Sequence, residues 1–241
     1  MTLAEILAGL FPEGHAVTVA DGLILGHGPR PGGGRVHVLG IAEGTPLGID
    51  GALALAGRVL AIARSGDGAP ILMPIDSASQ RMSRRDELLG LNEYLAHLAK
   101  ALMLAEAAGH PTLGLLYGRS AAGAFIATAL ATARLVALPG AHPEVMDLPS
   151  MARVTKLSLD VLTQMARATP VFAPGLDNLV QTGAIGAIWD PQRPLAEQME
   201  ASLAASHPGG DDRDRLGAER GGRPRAAAIA ERVAAQVAGR A

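Results

Sequence analysis

The chain has 241 residues, of which 49% are hydrophobic and 2% aromatic, and its formal net charge is −2. This length can bury one sizeable core, and the low aromatic content favours helices packed on a sheet over an aromatic-cored sandwich. The near-neutral charge gives no electrostatic footprint for nucleic acid, and the absence of cysteine excludes disulfides, thiolate catalysis and cysteine-ligated zinc and suits a reducing cytoplasm.

The first residues, MTLAEILAGLFPEG, have no basic region ahead of the apolar ones, so they do not predict a signal peptide. No apolar run reaches the ~18 residues that span a bilayer. The 7 histidines show no paired ligand spacing, so no metal site is predicted. The sequence therefore predicts a metal-free, cytoplasmic α/β protein.

The first forty residues predict a helix followed by a β-hairpin. Residues 1–11 have amphipathic helical spacing, and Pro12 ends that helix. The segment His15–Leu25 is expected to form one strand and Arg35–Ile41 a second. Between them, the glycine- and proline-rich segment Gly26–Gly34 is expected to turn.

The next elements predict a buried helix, a strand and a polar turn. Asp50 is expected to cap a helix over Gly51–Ala63, which is apolar almost all round and so is expected to be buried. The apolar segment Ala69–Ile75 predicts a strand in a covered sheet, and Pro74 is expected to end it. The polar turn Asp76–Ser79 then follows at the carboxyl end of the strand, where open α/β sheets bind ligands.

A long helix is predicted between this turn and the middle of the chain. Ser83 and Asp86 form a capping-box pattern at its start. Leucines recur at helical spacing as far as Ala108, and Gly109 with the following proline gives a C-terminal stop signal.

The chain is organised around the segment Pro111–Ala133, PTLGLLYGRSAAGAFIATALATA. Leu113–Tyr117 predicts a buried strand, Gly118–Ser120 a turn, and Ala121 the start of a helix. Such a helix would point its free N–H groups and positive dipole end out of the sheet, where an anion or a developing oxyanion can bind. Tight packing of small residues on the sheet explains the same pattern without a ligand.

Three sharper motifs are excluded at this segment. A P-loop requires lysine after its second glycine, but alanine follows Gly123. A nucleophile elbow requires glycine two residues after the serine, and Ala122 stands there after Ser120. A dinucleotide fingerprint requires a second glycine two residues after Gly118, where Ser120 stands.

The C-terminal half continues as short strands and helices. The predicted elements are, in order, a strand at Arg134–Leu138, a loop at Gly140–Pro149 with His142 and Glu144, a helical stretch at Pro149–Thr169, a helix turn and strand within Asn178–Asp190, and a helix at Leu195–Ala205. Residues 207–225 are polar and charged and predict no fixed structure, and Ala226–Arg240 predicts a last amphipathic helix. The organisation expected from this is a domain at 1–206 and a polar linker with a C-terminal helix at 207–241.

The two turns at Asp76–Ser79 and Ser120–Gly123 would meet if their strands are neighbours in one sheet. Backbone N–H groups from two such turns would then make an oxyanion hole. This arrangement needs no nucleophile or metal.

The ordered motifs PIDSAS, GRSAAGAF, LVALPGAHPEVM and TGAIGAIWDP resemble those of crotonase-like carboxyltransferase subunits. They resemble most closely the gamma subunits of biotin-independent malonate decarboxylase, over about residues 10–205. The resemblance implies a crotonase/ClpP-like ββα superhelix of the carboxyltransferase-subunit type. At the first turn the carboxyltransferases have a D-T-P-G pattern, and at the second a K-A-Y-G-G-A pattern. In this chain the corresponding segments are Asp76–Ser79 and Arg119–Ala124. Both depart from the carboxyltransferase patterns, and these departures are compatible with the decarboxylase branch of the family.

The resemblance also implies an activity and partners. Together with a beta subunit of the same fold, as a heterodimer or heterotetramer, such a chain decarboxylates malonyl-S-acyl carrier protein through a thioester enolate. The carrier is a delta subunit, and its phosphoribosyl-dephospho-CoA prosthetic group holds the acyl chain, so no cofactor is bound covalently to this chain. A non-catalytic scaffold subunit and a carboxyltransferase subunit acting on an acyl-CoA are the alternatives.

Position within the two motifs gives the candidate site residues. The predicted catalytic set consists of the backbone donors Ser79, Ala122 and Gly123, with Ser120 and Ala121 beside them. The predicted substrate-binding residues are Asp76, Ser77, Ala78 and Arg119.

Several side chains have two interpretations. Asp76 either holds its turn or acts in catalysis, and Ser120 either caps the helix or attacks as a nucleophile. Ser79 either donates to a substrate carboxylate or is a turn serine. The helix-start arginines, which either meet an acidic carrier or are simply solvated, are Arg81, Arg84 and Arg85.

The neighbours of the second turn also leave roles open. His142 and Glu144 lie in the loop near the expected site, but water could equally protonate the enolate. Tyr117 and Arg119 are expected to pack or pair rather than react. A Clp-type serine peptidase has a similar turn, but Ala121 stands at the position of its nucleophile and the histidine it needs is absent.

Overall fold

The computed structural model describes residues 1–170, 173–205 and 211–239. The chain divides into two compact units. The first comprises Met1–Met146 with Ala187–Gly210, and the second Asp147–Gly186 with Asp211–Ala241. The predicted domain boundary between residues 206 and 207 lies outside the described residues and stays a prediction.

The first unit is built on a mixed sheet that has eight strands in the described part of the chain. The strands are β1 (Ala16–Ala20), β2 (Leu23–Pro29), β3 (Arg35–Gly44), β4 (Ile71–Ser77), β5 (Thr112–Ala121), β6 (Arg134–Ala137), β7 (His142–Glu144) and β8 (Ala187–Ile188). Their order is β1-β2-β3-β4-β5-β6-β8, and β7 pairs with β5 off this path. The first two pairings are antiparallel and the others parallel.

Six helices flank this sheet, and five form the second unit, among the described residues. In the first unit they are α1 (Leu3–Leu10), α2 (Ile49–Ser65), α3 (Arg84–Leu88), α4 (Leu91–Ala107), α5 (Ala122–Ala127) and α9 (Leu195–Ala204). In the second unit they are α6 (Leu148–Thr155), α7 (Leu159–Ala168), α8 (Leu176–Gln181), α10 (Arg213–Glu219) and α11 (Ala226–Ala238). No helix among residues 1–170, 173–205 and 211–239 is both long and apolar enough to cross a membrane.

The amino-terminal strands differ from the prediction of one hairpin. His15–Leu25 does not form one strand, because the chain reverses at Asp21 and Gly22, both at positive φ (52° and 74°). Two central residues at positive φ make a type I′ turn, for which Asp-Gly is a favoured pair. The predicted turn Gly26–Gly34 is also too long, because β2 runs on to Pro29 and stays paired with β3.

The strand through Pro74 does not end there. It continues as β4 to Ser77, with Pro74 in register opposite Leu115 of β5. A proline removes only its own N–H from the ladder, and the flanking residues keep the pairing. Gly40 of β3 lies against this site, since a Cβ there would be 2.1 Å from the Pro74 carbonyl oxygen.

Helix α2 begins earlier than predicted and buries one face only. Gly48, not Asp50, is its N-cap, and the Asp50 carboxylate binds arginine side chains instead. Every third or fourth residue is buried, as in Leu55 and Val59, whereas Leu53 is 51% exposed. The outer face of α2, whose alanines led to the prediction of complete burial, is therefore exposed in this chain.

The predicted long helix from Ser83 to Ala108 is two helices. Ser83 caps α3 as expected, its Oγ accepting from the Asp86 N–H at 3.0 Å. Gly90 then adopts φ 84°, which a right-handed helix cannot contain, and α4 begins after it. Leu88 is consequently 76% exposed rather than part of the buried leucine stripe.

The second unit contains more helix than predicted. Lys156 at φ 63° divides the predicted stretch Pro149–Thr169 into α6 and α7. The segment 207–225, expected to lack structure, contains α10. Arg220, after α10, donates to the carbonyl oxygens of Val180, Ile185 and Gly186, each at 2.8 Å, so this segment is bound to the turn that follows α8.

Candidate oxyanion site at two strand ends

The central strands of the first unit end side by side. Strands β4 and β5 are parallel neighbours, and Ser77 is paired with Ser120 near their carboxyl ends. Parallel strands place these ends at the same edge of the sheet, so the segments that follow emerge together. The predicted convergence of the two turns is confirmed.

The second turn comes later than predicted. Gly118–Ser120 do not turn, because β5 continues to Ala121 and helix α5 begins at Ala122. The short strand β7 accounts for this difference, since it pairs with Arg119, Ser120 and Ala121. His142 and Glu144 of β7 therefore lie beside the turn, opposite Arg119 and Ala121 respectively.

Asp76 supports the end of β5. Its Oδ1 accepts from the Arg119 N–H at 2.9 Å. Gly118 makes room for this carboxylate, because a Cβ at Gly118 would lie 2.2 Å from the Asp76 Cγ. Of the two interpretations of Asp76, these contacts support the structural one, in which its carboxylate holds the turn. The Arg119 side chain itself is exposed.

The two paired serines are fully buried but differ in their partners. Ser77 Oγ donates to the Thr45 carbonyl oxygen at 3.1 Å. Ser120 Oγ has no hydrogen-bond partner within the residues that the structure describes. Ser120 is not the helix cap, because Ala121 occupies that position without a side-chain hydrogen bond. A buried hydroxyl without a partner is costly, so Ser120 is an energetically unfavourable feature of this strand end.

Ala122 joins strand to helix in a strained conformation. Its φ is 52°, in the left-handed region, where the Cβ crowds the backbone at a cost of about 1–2 kcal/mol. Glycine stands at this position in the K-A-Y-G-G-A pattern of the family that the chain resembles. Strained residues concentrate at functional turns, where the surrounding structure holds them.

We expect Ala122→Gly to raise the free energy of unfolding by about 1 kcal/mol, because glycine adopts positive φ without the steric penalty. Urea unfolding of the isolated chain measures this change. Ala124→Gly is the matched control, because Ala124 lies inside α5 without positive φ and should lose stability instead. Equal losses in both variants would contradict the strain at Ala122.

The Gly123 N–H, predicted to be a free donor, has a partner. It donates to Oε1 of Gln80 at 2.8 Å. This bond joins the segment after β4 to the first turn of α5, so it ties the two predicted turns together. Gln80 was not among the predicted site residues, although a polar residue directly after Asp76–Ser79 was a signal in the sequence.

The segment around Ser79 is fixed mainly through its backbone. The Ser79 carbonyl accepts from the Leu47 N–H at 2.9 Å, and the Ala78 N–H donates to Gly44 at 3.3 Å. Ser79 Oγ donates to the Gln80 carbonyl at 2.9 Å, as a turn serine does. The Ser79 N–H makes no hydrogen bond in the described ranges of the chain, which leaves it available as a donor.

Burial raises the pKa of the Tyr117 phenol, which is next to the site on β5. Its hydroxyl lies 3.4 Å from the Ile41 carbonyl oxygen, to which it donates. A phenol that stays protonated at neutral pH packs and donates rather than acting as a base, as predicted for this residue.

Four charged side chains anchor the segment that follows Gln80. Arg81 binds Asp86 at 2.7 Å and Asp50 at 3.1 Å, and Arg85 binds Asp50 at 2.9 Å. Asp86 is fully buried and also accepts from the Ile49 N–H at 3.4 Å. Of the three arginines considered for a carrier protein, two are thus used in this network. Arg84 is exposed and makes no ion pair in the part of the chain described here.

The hydrogen bonds from Arg81 lower the pKa of the buried Asp86 carboxyl to about 2, below its usual value near ~3.9. Its folded-state pKa is depressed, so its stabilisation is fully present above pH ~4 and is lost as the pH falls towards 2. We expect Asp86→Asn to be less stable than wild type at pH 7, with the difference shrinking as the pH falls from about 4 to about 2. Thermal unfolding across this range measures it; a pH-independent difference would contradict the ion-pair origin.

The fold and the paired strand ends define a class, the crotonase-like carboxyltransferase subunits. Transcarboxylase 12S has this fold at 16% identity, with a TM-score of 0.67 over 86% of this chain and 41% of that chain. A solved Pseudomonas malonate decarboxylase hetero-tetramer in complex with coenzyme A contains a more similar chain. That match has a TM-score of 0.77 and 25% identity, covering 95% of this chain and 97% of the other.

The chain belongs to the malonate decarboxylase gamma subunit family, whose sequence profile matches residues 42–237. The malonyl-S-ACP:biotin-protein carboxyltransferase of Malonomonas rubra is 30% identical in a 167-residue alignment that covers 64% of this chain. The alignment covers 57% of that curated relative, so the chain spans little more than half of its length. The family and fold predicted from the motifs are confirmed, and the family is one of decarboxylase and carboxyl-transfer subunits.

Proposed function

We propose that this chain acts with a beta subunit of the same fold to decarboxylate malonyl-S-acyl carrier protein to acetyl-S-acyl carrier protein. This makes the chain part of a carbon–carbon lyase. The observation that carries the proposal is the junction of the two turns, where the bond from the Gly123 N–H to Gln80 Oε1 measures 2.8 Å. Family membership over residues 42–237 supports the same activity.

The reaction needs stabilisation of one oxygen rather than a nucleophile. The bond between the carboxylate carbon and the α-carbon breaks, and its electron pair forms an enolate whose negative charge lies on the thioester oxygen. Carbon dioxide leaves, and the α-carbon then takes a proton from water or a side chain. Hydrogen-bond donors held in place before the reaction stabilise such charge without further reorganisation.

The proposed donors surround the junction. In this proposal the N–H groups of Ser79 and Ala122 face the thioester oxygen, and the Gly123 N–H supports the turn through its bond to Gln80. Ala121 leaves room for the acyl chain. The buried Ser120 hydroxyl, which has no partner in the described chain, lies on the same strand end. Removal of one oxyanion donor typically costs roughly 2.7–4 kcal/mol of barrier.

The predicted binding residues divide into two roles. Asp76, Ser77 and Ala78 hold the sheet edge through their hydrogen bonds to the Arg119, Thr45 and Gly44 backbones. The exposed Arg119 guanidinium would bind the anionic part of the substrate, a carboxylate or phosphate.

The partners in this proposal are a beta subunit, in a heterodimer or heterotetramer, and an acyl carrier protein. The carrier's phosphoribosyl-dephospho-CoA group would hold the acyl chain, and this chain would bind no cofactor covalently. The similar Pseudomonas structure is a hetero-tetramer in complex with coenzyme A, which supports both an assembly and a CoA-like thioester handle.

The test is release of carbon dioxide from malonyl-S-carrier protein by this chain co-expressed with its beta partner. Each subunit alone is the control. Turnover only by the pair supports the proposal. Transfer of the carboxylate to biotin without release would assign carboxyl transfer instead, the activity named for the Malonomonas relative. No pair and no turnover on either substrate would overturn the proposal.

A further inference from the structure

Gln80 presents a weakly bound amide donor at the junction of the two turns. Its Oε1 must face the Gly123 N–H, 2.8 Å away, because only the oxygen of an amide side chain accepts a hydrogen bond. The amide nitrogen therefore points elsewhere. Among the described residues it donates to the Met82 thioether, at 3.6 Å, which is a weak acceptor. Met82 is itself 75% exposed.

The backbone holds Gln80 in this place from both sides. Gln80 is bridged to Leu47 in a parallel pairing. The Leu47 N–H donates to the Ser79 carbonyl at 2.9 Å, and the Arg81 N–H donates to Leu47 at 2.8 Å. Arg81 is in turn bound to the buried Asp86. A donor anchored in this way is positioned before substrate arrives, as oxyanion stabilisation requires.

The bond to Gly123 also changes the amide itself. A hydrogen bond accepted at the carbonyl oxygen polarises an amide, and its N–H groups then donate more strongly. The Gly123 N–H thereby acts through Gln80 instead of reaching the substrate directly. An amide side chain is a proven kind of oxyanion donor in other enzymes.

We infer that Gln80 is a further catalytic residue, whose side-chain NH₂ donates to the thioester oxygen as negative charge develops on it. This inference rests on the proposed decarboxylation and names a donor for it that the family motifs do not include. In this arrangement Ser79 supplies the backbone N–H and Gln80 the side-chain N–H, and Gly123 orients the glutamine.

Two variants of the assembled pair test the inference. Gln80→Glu is isosteric and still accepts from the Gly123 N–H, but it has no N–H to donate. Gln80→Met removes the donor without adding charge. We expect both to lower kcat on malonyl-S-carrier protein by about 10²–10³-fold, the usual cost of one oxyanion donor, with KM changed far less. Gln192→Glu, on an exposed residue, controls for the added negative charge.

The outcomes separate the inference from the proposed function. An inactive wild-type pair would overturn both together. A wild-type pair that turns over, with both variants assembled and nearly as fast, would overturn the role of Gln80 alone. A fall confined to Gln80→Glu would indicate charge repulsion and also count against it. Loss of kcat in both variants, with Gln192→Glu unaffected, supports the donor role.

Discussion

Replacement of Gly123 by valine is expected to lower turnover of the assembled pair by about 10²–10³-fold. A Cβ at Gly123 would lie 3.1 Å from the Leu95 Cδ1 and 3.3 Å from Gln80 Oε1, both tighter than ordinary contact. The two further methyl groups of valine must displace the Gln80 amide, which breaks its bond to the Gly123 N–H. The turn then loses a donor whether that N–H acts directly or through Gln80.

The measurement is the initial rate of carbon dioxide release per assembled pair, with assembly followed by gel filtration. Gly123→Ala is the graded control, because it adds only the Cβ. Gly123 does not have a positive φ, so alanine causes no backbone strain at this position. We expect its loss of rate to be much smaller than that of valine. If Gly123→Val lowers the yield of the assembled pair but each pair that forms retains its full rate, the chain is a scaffold rather than a contributor to catalysis.

Local sequence patterns predicted the parts of the site that local interactions determine. The apolar runs of β4 and β5 and the small residues that follow them predicted two strand ends with tight turns. Their neighbouring position in the sheet, with Ser77 opposite Ser120, follows from parallel strand–helix connections. The capping residue Ser83 and the stop at Gly109 are likewise local signals, and both appear in the structure.

The errors at the site arise from interactions distant in sequence. Strand β5 extends to Ala121 because β7 pairs with it, and no property of residues 118–121 alone indicates that partner. The bond from Gly123 to Gln80 spans 43 residues, so neither residue's neighbours predict it. Asp50 was expected to cap a helix, but Arg81 and Arg85, more than thirty residues away, bind its carboxylate.

Other errors concern signals that the sequence did contain. Asp21-Gly22 is a strong hairpin signal inside a stretch predicted as one strand, and Gly90 is a breaker inside a predicted helix. In both places the hydrophobic pattern outweighed the turn chemistry. Pro74 is the opposite case. This proline was predicted to end its strand, but pairing with β3 and β5 on the two sides maintains the strand beyond it.

Gly40→Ala is expected to reduce the free energy of unfolding by about 3 kcal/mol, near the upper end for overpacking in a core. A Cβ at Gly40 would lie 2.1 Å from the Pro74 carbonyl oxygen and 3.0 Å from its Cδ. Both are atoms of a rigid residue in the neighbouring strand, so no flexible side chain can move aside. Strands β3 and β4 must separate, and the sheet edge that carries Asp76 and Ser77 moves with them.

Urea unfolding of the isolated chain measures this loss, and Gly57→Ala is the matched control. Gly57 lies inside α2, and a Cβ there meets no heavy atom within 4 Å. The same chemical change should therefore stabilise the chain by about 0.5–1 kcal/mol, because alanine favours a helix interior over glycine. Opposite signs at the two sites would establish that contact with Pro74, rather than the loss of a glycine, causes the effect. A small change at Gly40 would mean that β3 and β4 have room to adjust, and that the strand end at Asp76 is less rigidly held than the site requires.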